Sequence, residues 1–293
     1  MYSFSRLGKL GRLGNQLFQV AATLATAAEY GKPAKFPPWR YAQYFAGDFD
    51  QSLRDADISY TYFEPNFEFT SIPELSEADL FGFFQCEKYF SNHEQLIRNQ
   101  FKFVEGLLPE NWRSVTPDCA IHVRRGDYLN EAHRFVPLKM DYYERAIAIA
   151  KERGCETFVL CSDDPHWCRE NFPSFVQVVD DLNDIQSLCL MSRCKNHIIA
   201  NSTLSWWSSW LGSNSDKFIL SPQIWYSFTL SFRKNYSFQY CPNWELIPNA
   251  VSLPDQIFSL ARTKEPELFY LPYVSRHKWL LAEERAHARK FAK

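Results

Sequence analysis

No apolar run in the sequence approaches the roughly 18 residues that a membrane-spanning helix needs. No signal-peptide pattern opens the chain either. The two absences together predict a cytoplasmic protein. A strong charge of one sign is also missing. The net charge of −2 argues against a generally basic nucleic-acid binder, so no nucleic acid is expected as a partner. The eight cysteines stand at 86, 119, 155, 161, 168, 189, 194 and 241 without one Cys-x-x-Cys pair. That spacing signals neither a zinc ribbon nor a thioredoxin-like site. Several of the cysteines sit in apolar runs and read as small buried hydrophobes in a reduced chain. There is no His-Glu-x-x-His, no Gly-x-Ser-x-Gly and no P-loop, which leaves zinc-protease and serine-hydrolase readings little support. Asn201-Ser-Thr and Asn235-Tyr-Ser match the glycosylation sequon, and without a secretion signal both read as chance matches.

What is present is a chain of 293 residues with 46% apolar composition, enough for two domains with cores of their own. The carboxyl-terminal half has a clear rhythm. Short apolar runs at Cys119–Val123, Thr157–Cys161, Val176–Val179, His197–Ala200 and Lys217–Leu220 read as buried strands. Helical segments fall between and after them at Asp141–Arg153, Asp184–Arg193 and Leu204–Leu211, the last stopped by Gly212 at C′. Strands alternating with helices predict a mostly parallel, doubly wound sheet. In the amino-terminal half Leu17–Tyr30 reads as a helix ended by Gly31-Lys-Pro33, Phe81–Phe84 as a strand and Ser91–Phe103 as a helix capped by Ser91. The boundary is expected in the 111–117 stretch, giving domains 1–114 and 115–293. The tail 276–293 carries six Lys or Arg against two Glu and reads as a basic helix. Its expected role is packing on the body, with weak membrane-surface contact as the alternative.

In doubly wound sheets ligands bind beyond the carboxyl ends of the strands, so the residues after each strand matter most. These are Arg124, Arg125 and Asp127, then Asp163 and Asp164, then Asp180, Asp181 and Asp184, then Asn201, Ser202 and Thr203. Two adjacent arginines facing hydroxyls on another strand end suggest a phosphate site, because guanidinium presents a fixed fork of donors to phosphate oxygens. A plain ion pair between this pair and Asp163 or Glu131 is the competing reading. Ser202 or Thr203 can open the following helix, whose N-terminus favours an anion. Trp206, Trp207 and Trp210 are expected in the core. Asp163-Asp164 resembles a metal-binding acid pair only weakly, and with Pro165 next Asp163 reads equally as a helix cap. No metal and no cofactor are expected.

Four segments, in order, resemble the α-1,2-fucosyltransferase family. They are Gly11-Arg-Leu-Gly-Asn-Gln-Leu-Phe-Gln19, Gly82-Phe-Phe-Gln-Cys-Glu-Lys-Tyr-Phe90, His122-Val-Arg-Arg-Gly-Asp-Tyr128 and His197-Ile-Ile-Ala-Asn-Ser-Thr-Leu-Ser-Trp-Trp-Ser-Ser-Trp-Leu211. The resemblance implies an α/β, glycosyltransferase B-type fold of two Rossmann-like domains facing a cleft, and an inverting, metal-independent transfer of fucose from GDP-fucose. It implies Arg124 on the donor phosphates, His122 by the nucleotide and Asp184 as the guanine-binding acid. It places Ser202 and Thr203 at the diphosphate, and Gly14, Asn15 and Gln16 on the donor from the other domain; Arg125, Asp163 and Asn201 join the expected donor site from their places at the strand ends. The implied acceptor is a galactose-containing oligosaccharide taken at its 2-hydroxyl. Acceptor choice is expected from the aromatic stretch between Trp39 and Phe69. Asp127 and Glu131 are the expected candidates for general base, with His133 a third, and Asp127 is read equally as an anchor of the loop.

Overall fold

The computed structural model describes residues 1–132, 135–227 and 239–249. His133 and the tail 276–293 lie outside these residues. The chain divides into two compact units. One is Met1–Leu107 together with residues 239–240, and the other runs from 108 to 227 and includes 241–249. No helix among the described residues is long and apolar enough to cross a membrane.

The first unit is built on a small parallel sheet. Its strands are β1 (Tyr2–Ser3), β2 (Ala34–Lys35), β3 (Thr61–Phe63) and β4 (Ala78–Phe81), in the order β2-β1-β4-β3. Helix α1 (Leu13–Glu29) follows the loop after β1 and is nearly buried, its alanines letting it lie close to the sheet. The strand expected at Phe81–Phe84 begins earlier and ends at Phe81. Asp79 hid its first half, since a buried carboxylate argues against a core strand. Here the carboxylate is satisfied: Ser3 Oγ donates at 2.8 Å, Ser5 N at 2.7 Å and Ser5 Oγ at 2.6 Å. The helix expected from Ser91 starts later, as α2 (Glu94–Gln100), after a single 3₁₀ turn at Ser91–His93. Ser91 caps nothing; His93 holds the N-cap position and its ring meets Glu29 Oε2 at 2.8 Å.

The second unit carries the site. After α3 (Glu110–Arg113) come β5 (Cys119–Val123), α4 (Gly126–Asn130), α5 (Met140–Glu152), β6 (Phe158–Ser162), α6 (Pro165–Asn171) and β7 (Val176–Val179). Then follow α7 (Asp184–Ser192), β8 (Asn196–Ile198), α8 (Thr203–Leu211), β9 (Ile219–Pro222) and β10 (Glu245–Ile247). Every pair in this six-stranded sheet is parallel and the order is β10-β9-β8-β5-β6-β7. Counted in chain order this is 3-2-1-4-5-6, the doubly wound arrangement with its reversal between β5 and β8. The predicted strands and helices are all present, with ends moved by one or two residues, as helix and strand termini commonly are. Ile121, Leu160, Ile198 and Leu220 from four neighbouring strands pack with Tyr142, Tyr143, Ala146 and Ala150 of α5 in one core.

Trp206, Trp207 and Trp210 are buried as expected, and all eight cysteines are buried and unbridged. The cap of α6 is Asp164, whose carboxylate accepts from Trp167 N, with Pro165 at the first helical position. Asp163, the expected cap, instead accepts from Arg125 N at 2.9 Å. Helix α8 ends at Gly212 as expected, for a different reason. The residue is not left-handed (φ −56°). A Cβ there would stand 3.1 Å from His197 Nε2 and 3.3 Å from Ser192 O, a tight fit that a side chain would have to push aside.

His197 is 1% exposed, and neither ring nitrogen has a hydrogen-bond partner among the described residues. Burial, with Lys217 adding to it, pushes its pKa down to about 3. The unfolded chain therefore takes up a proton near the ordinary histidine value, about 6.5, that the folded chain refuses until far lower pH. This contribution to stability is complete above about pH 6.5 and is lost as the pH falls toward the folded value, at a slope of up to about 1.4 kcal/mol per pH unit. Urea denaturation of the parent and His197→Gln between about pH 6 and pH 4 should show a shallower loss in the variant by about that slope. Parallel pH dependences for the two proteins would contradict a buried neutral imidazole.

Candidate active site

Strand β5 is buried along its whole length, and the chain first turns charged at its carboxyl end. Arg124 and Arg125 emerge there, immediately before α4. Arg124 Nη2 donates to Asp127 Oδ1 at 2.6 Å, and its Nη1 lies 2.9 Å from Asp163 Oδ2. Arg125 Nε donates to Asp164 Oδ2 at 3.2 Å, and its guanidinium stacks 3.7 Å from the centre of the Trp167 ring. The arginine side chains are 14% and 16% exposed, the carboxylates between 24% and 30%. The competing sequence reading, a pairing of the arginines with Asp163, is therefore present in this state. It does not oppose a phosphate site. Carboxylates this accessible can hydrate when an anion takes their place on the guanidinium fork.

His122, one residue inside β5, is 5% exposed and its Nδ1 has no partner among the described residues. Burial pushes its pKa down to about 4, with Asp163 opposing and Arg124 adding to the effect. It is thus a neutral imidazole at ordinary pH, set beside Arg124.

Across the reversal point, β8 leads into Asn201, Ser202 and Thr203. Ser202 is the N-cap residue of α8 without a side-chain cap bond, and Thr203 is the first helical residue. The helix therefore begins with its first N–H groups uncapped by the hydroxyl, the arrangement that favours an anion. Asn201 plays another part: it is fully buried, and its Nδ2 donates to Val136 O at 2.9 Å and Trp225 O at 2.7 Å. That burial also leaves no room for a glycan at its sequon. The two strand ends are joined by Tyr128, whose hydroxyl donates to Asn201 O at 2.7 Å while its ring lies 5.6 Å from the Arg124 guanidinium. Phe135 stacks on Tyr128 at 4.4 Å between ring centres, and Tyr226 borders Phe135.

The structure thus gathers Arg124, Arg125, Asp127, Asp163 and Asp164 at the adjacent carboxyl ends of β5 and β6 and ties Arg124 through Tyr128 to the start of α8. Glu131 is half-buried at the carboxyl end of α4. Asp184 is exposed at the first position of α7, where Asn183 and Gln186 form the capping box. Tyr128, Trp167 and Asp164 are contributors that sequence reasoning did not single out for these roles. Tyr128 stood inside the quoted motif, but nothing in spacing tells which carbonyl a tyrosine will reach. Among the described residues no group of three or more His, Cys, Asp or Glu is arranged to hold a metal ion.

In the first unit Gly14, Asn15 and Gln16 open α1. Gln16 is internal: its Nε2 donates to Gly11 O at 3.0 Å and its Oε1 accepts from Trp39 Nε1 at 2.9 Å. Gly11 has φ +79°, and a Cβ on it would fall 2.3 Å from Asn15 Nδ2, so this turn requires glycine twice over. Asn15 Oδ1 accepts from Gln85 Nε2 at 2.7 Å. Of the aromatic stretch, Trp39, Tyr41, Phe45 and Phe49 are buried against one another, whereas Tyr60 is exposed.

Residues 58–247 match the profile of Glycosyl transferase family 11. The chain is 34% identical over 166 residues to the O-antigen biosynthesis glycosyltransferase WbnK of Escherichia coli, covering 50% of this chain and 55% of that protein. It is 29% identical over 261 residues to an alpha-1,2-colitosyltransferase of the same species, covering 74% and 90%. To galactoside alpha-(1,2)-fucosyltransferase 2 of Oryctolagus cuniculus it is 24% identical over 235 residues, covering 70% and 66%. The match thus spans about half of WbnK and nearly all of the colitosyltransferase. Among solved structures, POFUT1 in its apo form aligns with 75% of this chain and 97% of its own, with a TM-score of 0.50 and 11% identity, a likeness of fold. With two parallel α/β units, an arginine pair at the sheet reversal and a profile match across both, the chain is a glycosyltransferase and belongs to Glycosyl transferase family 11.

Proposed function

We propose that the protein transfers L-fucose from GDP-fucose, with inversion, to the 2-hydroxyl of a terminal β-galactoside. One observation carries the reading. Arg124 and Arg125 leave β5 at the sheet reversal, where the uncapped start of α8 leaves β8, and Tyr128 ties the two together. This pairing suits a diphosphate, and the family membership and the α-1,2 relatives supply the sugar chemistry. The acceptor and the linkage rest on those relatives alone.

In this reading the acceptor hydroxyl attacks the anomeric carbon as the nucleoside diphosphate departs from the opposite face. Negative charge then grows on the leaving phosphate. The Arg124 fork exchanges Asp127 and Asp163 for phosphate oxygens, Arg125 stays stacked on Trp167, and the N–H groups at Ser202 and Thr203 face the charge. A preorganised donor of this kind contributes about 3 kcal/mol to transition-state stabilisation, or about a hundredfold in rate. The amino-terminal unit is proposed to receive the acceptor, and Asp184 to meet the guanine. No metal is assigned a role. The proton of the attacking hydroxyl passes to a carboxylate of the loop, Asp127 or Glu131. Asp127 also holds Arg124, so removing it disturbs donor and base together.

Arg124→Ala should lower kcat about a hundredfold or more while the circular dichroism and unfolding midpoint stay near those of the parent. Arg124→Lys, which keeps a charge opposite both carboxylates, should recover little because it lacks the planar fork. GDP release with lactose against no acceptor, with and without EDTA, measures both variants. Near-parental turnover in Arg124→Ala would overturn the phosphate assignment, and loss of turnover with EDTA would overturn the metal-free one. A colitosyl donor belongs in the same assay, because the colitosyltransferase relative is covered over 90% of its length. Preference for that donor would replace fucose with its 3-deoxy analogue and leave the site assignment standing.

The base is separated by pH–rate profiles. Glu131→Gln should flatten the acidic limb of kcat with little change in donor KM, if Glu131 takes the proton. A flat limb in Asp127→Asn and an unchanged one in Glu131→Gln would give the role to Asp127.

A further inference from the structure

Two cysteines of the second unit, separated in the chain by α5, meet at the amino end of the six-stranded sheet. Cys119 opens β5, and Cys155 sits in the turn between α5 and β6. One carboxylate clamps this turn onto the head of β5. Asp118 Oδ2 accepts from Glu156 N at 3.2 Å, Thr157 N at 3.0 Å and Thr157 Oγ1 at 2.8 Å, and Asp118 Oδ1 accepts from Lys195 Nζ at 2.8 Å. Cys119 N donates to Thr157 O at 3.1 Å. Held in this way, the turn sets the two thiols against each other, and the Cys119 S–H donates to Cys155 Sγ. A second donor reaches the same sulfur, Asn196 Nδ2 at the start of β8, at 3.5 Å.

The two sulfurs differ in place and in acidity. Cys119 is fully buried within the sheet. Cys155 is 4% exposed, but its neighbours Gly154 and Glu156 are exposed, and a Cβ on Gly154 would meet no atom within 4 Å. Burial pushes up the thiols of Cys86, Cys119, Cys161, Cys168, Cys189 and Cys194. The Cys155 thiol is instead held below its ordinary value. The Cys119 S–H is the largest cause, with the Asn196 amide and Lys195 adding to it against burial and Asp118. The thiolate is the attacking form in disulfide exchange, which makes Cys155 the thiol that reacts and Cys119 the one that resolves.

From this geometry we propose that Cys155 and Cys119 form a thiol–disulfide exchange site, which a low-molecular-weight disulfide oxidises to an internal disulfide. The Cys155 thiolate attacks one sulfur of the small disulfide. That S–S bond breaks, and the first small thiolate leaves and takes up the proton that Cys155 released. The Cys119 sulfur then attacks Cys155 in the mixed disulfide, and the second small thiol departs with the Cys119 proton. Two protein thiols are oxidised to one disulfide, and one small disulfide is reduced to two thiols. The new bond joins the turn to the head of β5, at the opposite end of that strand from Arg124. The site is independent of the sugar-transfer reading.

Oxidised glutathione is the probe. Reduced parent protein treated with it, then denatured in an alkylating agent, should lose two of its eight alkylatable thiols with no change in circular dichroism before denaturation. Mass spectrometry should find Cys119 and Cys155 in one disulfide-linked peptide, and dithiothreitol should restore all eight thiols. Cys119→Ala should stop at the mixed disulfide, with one glutathione kept on Cys155. Cys155→Ser should take up glutathione at least about tenfold more slowly than Cys119→Ala. Eight alkylated thiols in the treated parent, a disulfide joining any other pair, or the same two-thiol loss in Cys119→Ala would overturn the proposal. The parent peptides decide the pairing even where a variant fails to fold.

Discussion

The second unit depends on the complete burial of β5. This strand lies inside the sheet with partners on both edges and helices over its faces, so no residue from Cys119 to Val123 can be charged without a heavy desolvation cost. His122 obeys the same constraint, remaining neutral with its pKa pushed down to about 4. Charge can first appear where the strand leaves the sheet, and two arginines do so together. Because β8 leaves the sheet beside β5 on the other side of the reversal, its exit is the nearest place for a second set of donors.

Burial also explains why the arginines are surrounded by acids. A guanidinium at 14% or 16% exposure needs partners in the absence of ligand, and Asp127, Asp163 and Asp164 supply them. These pairs hold the fork in a defined geometry. Asp164 serves two groups at once, Arg125 through one oxygen and the start of α6 through the other, so the arginine, the helix and Trp167 are tied together. Tyr128 extends the set to α8.

The first unit buries the carboxylates of Asp79 and Glu64 and uses neutral groups around α1. Its polar interior around α1 is made of amides: Gln16 to Gly11 O and Trp39, Gln19 to Leu10 O, Gln85 to Asn15. Amides pair without the desolvation cost of ions and have a direction that ions lack.

Sequence by itself determined the periodic parts of this protein. Apolar runs set the five strands of the carboxyl-terminal half, because a strand buried on both faces must be apolar throughout. Four motifs in order were enough for the family. The polar residues at strand ends were legible for the same reason that the strands were, since they mark where burial stops. Sequence was poorer wherever a polar group is buried and satisfied from far away. Asp79 concealed half of β4 because its partners, Ser3 and Ser5, are distant in the chain. Only the tertiary structure decided that Asp164 and not Asp163 caps α6, that Gly212 fits tightly beside His197, and that Asn201 is an interior tie. Each of these is settled by which donor meets which acceptor across the fold, and composition and period carry no record of that.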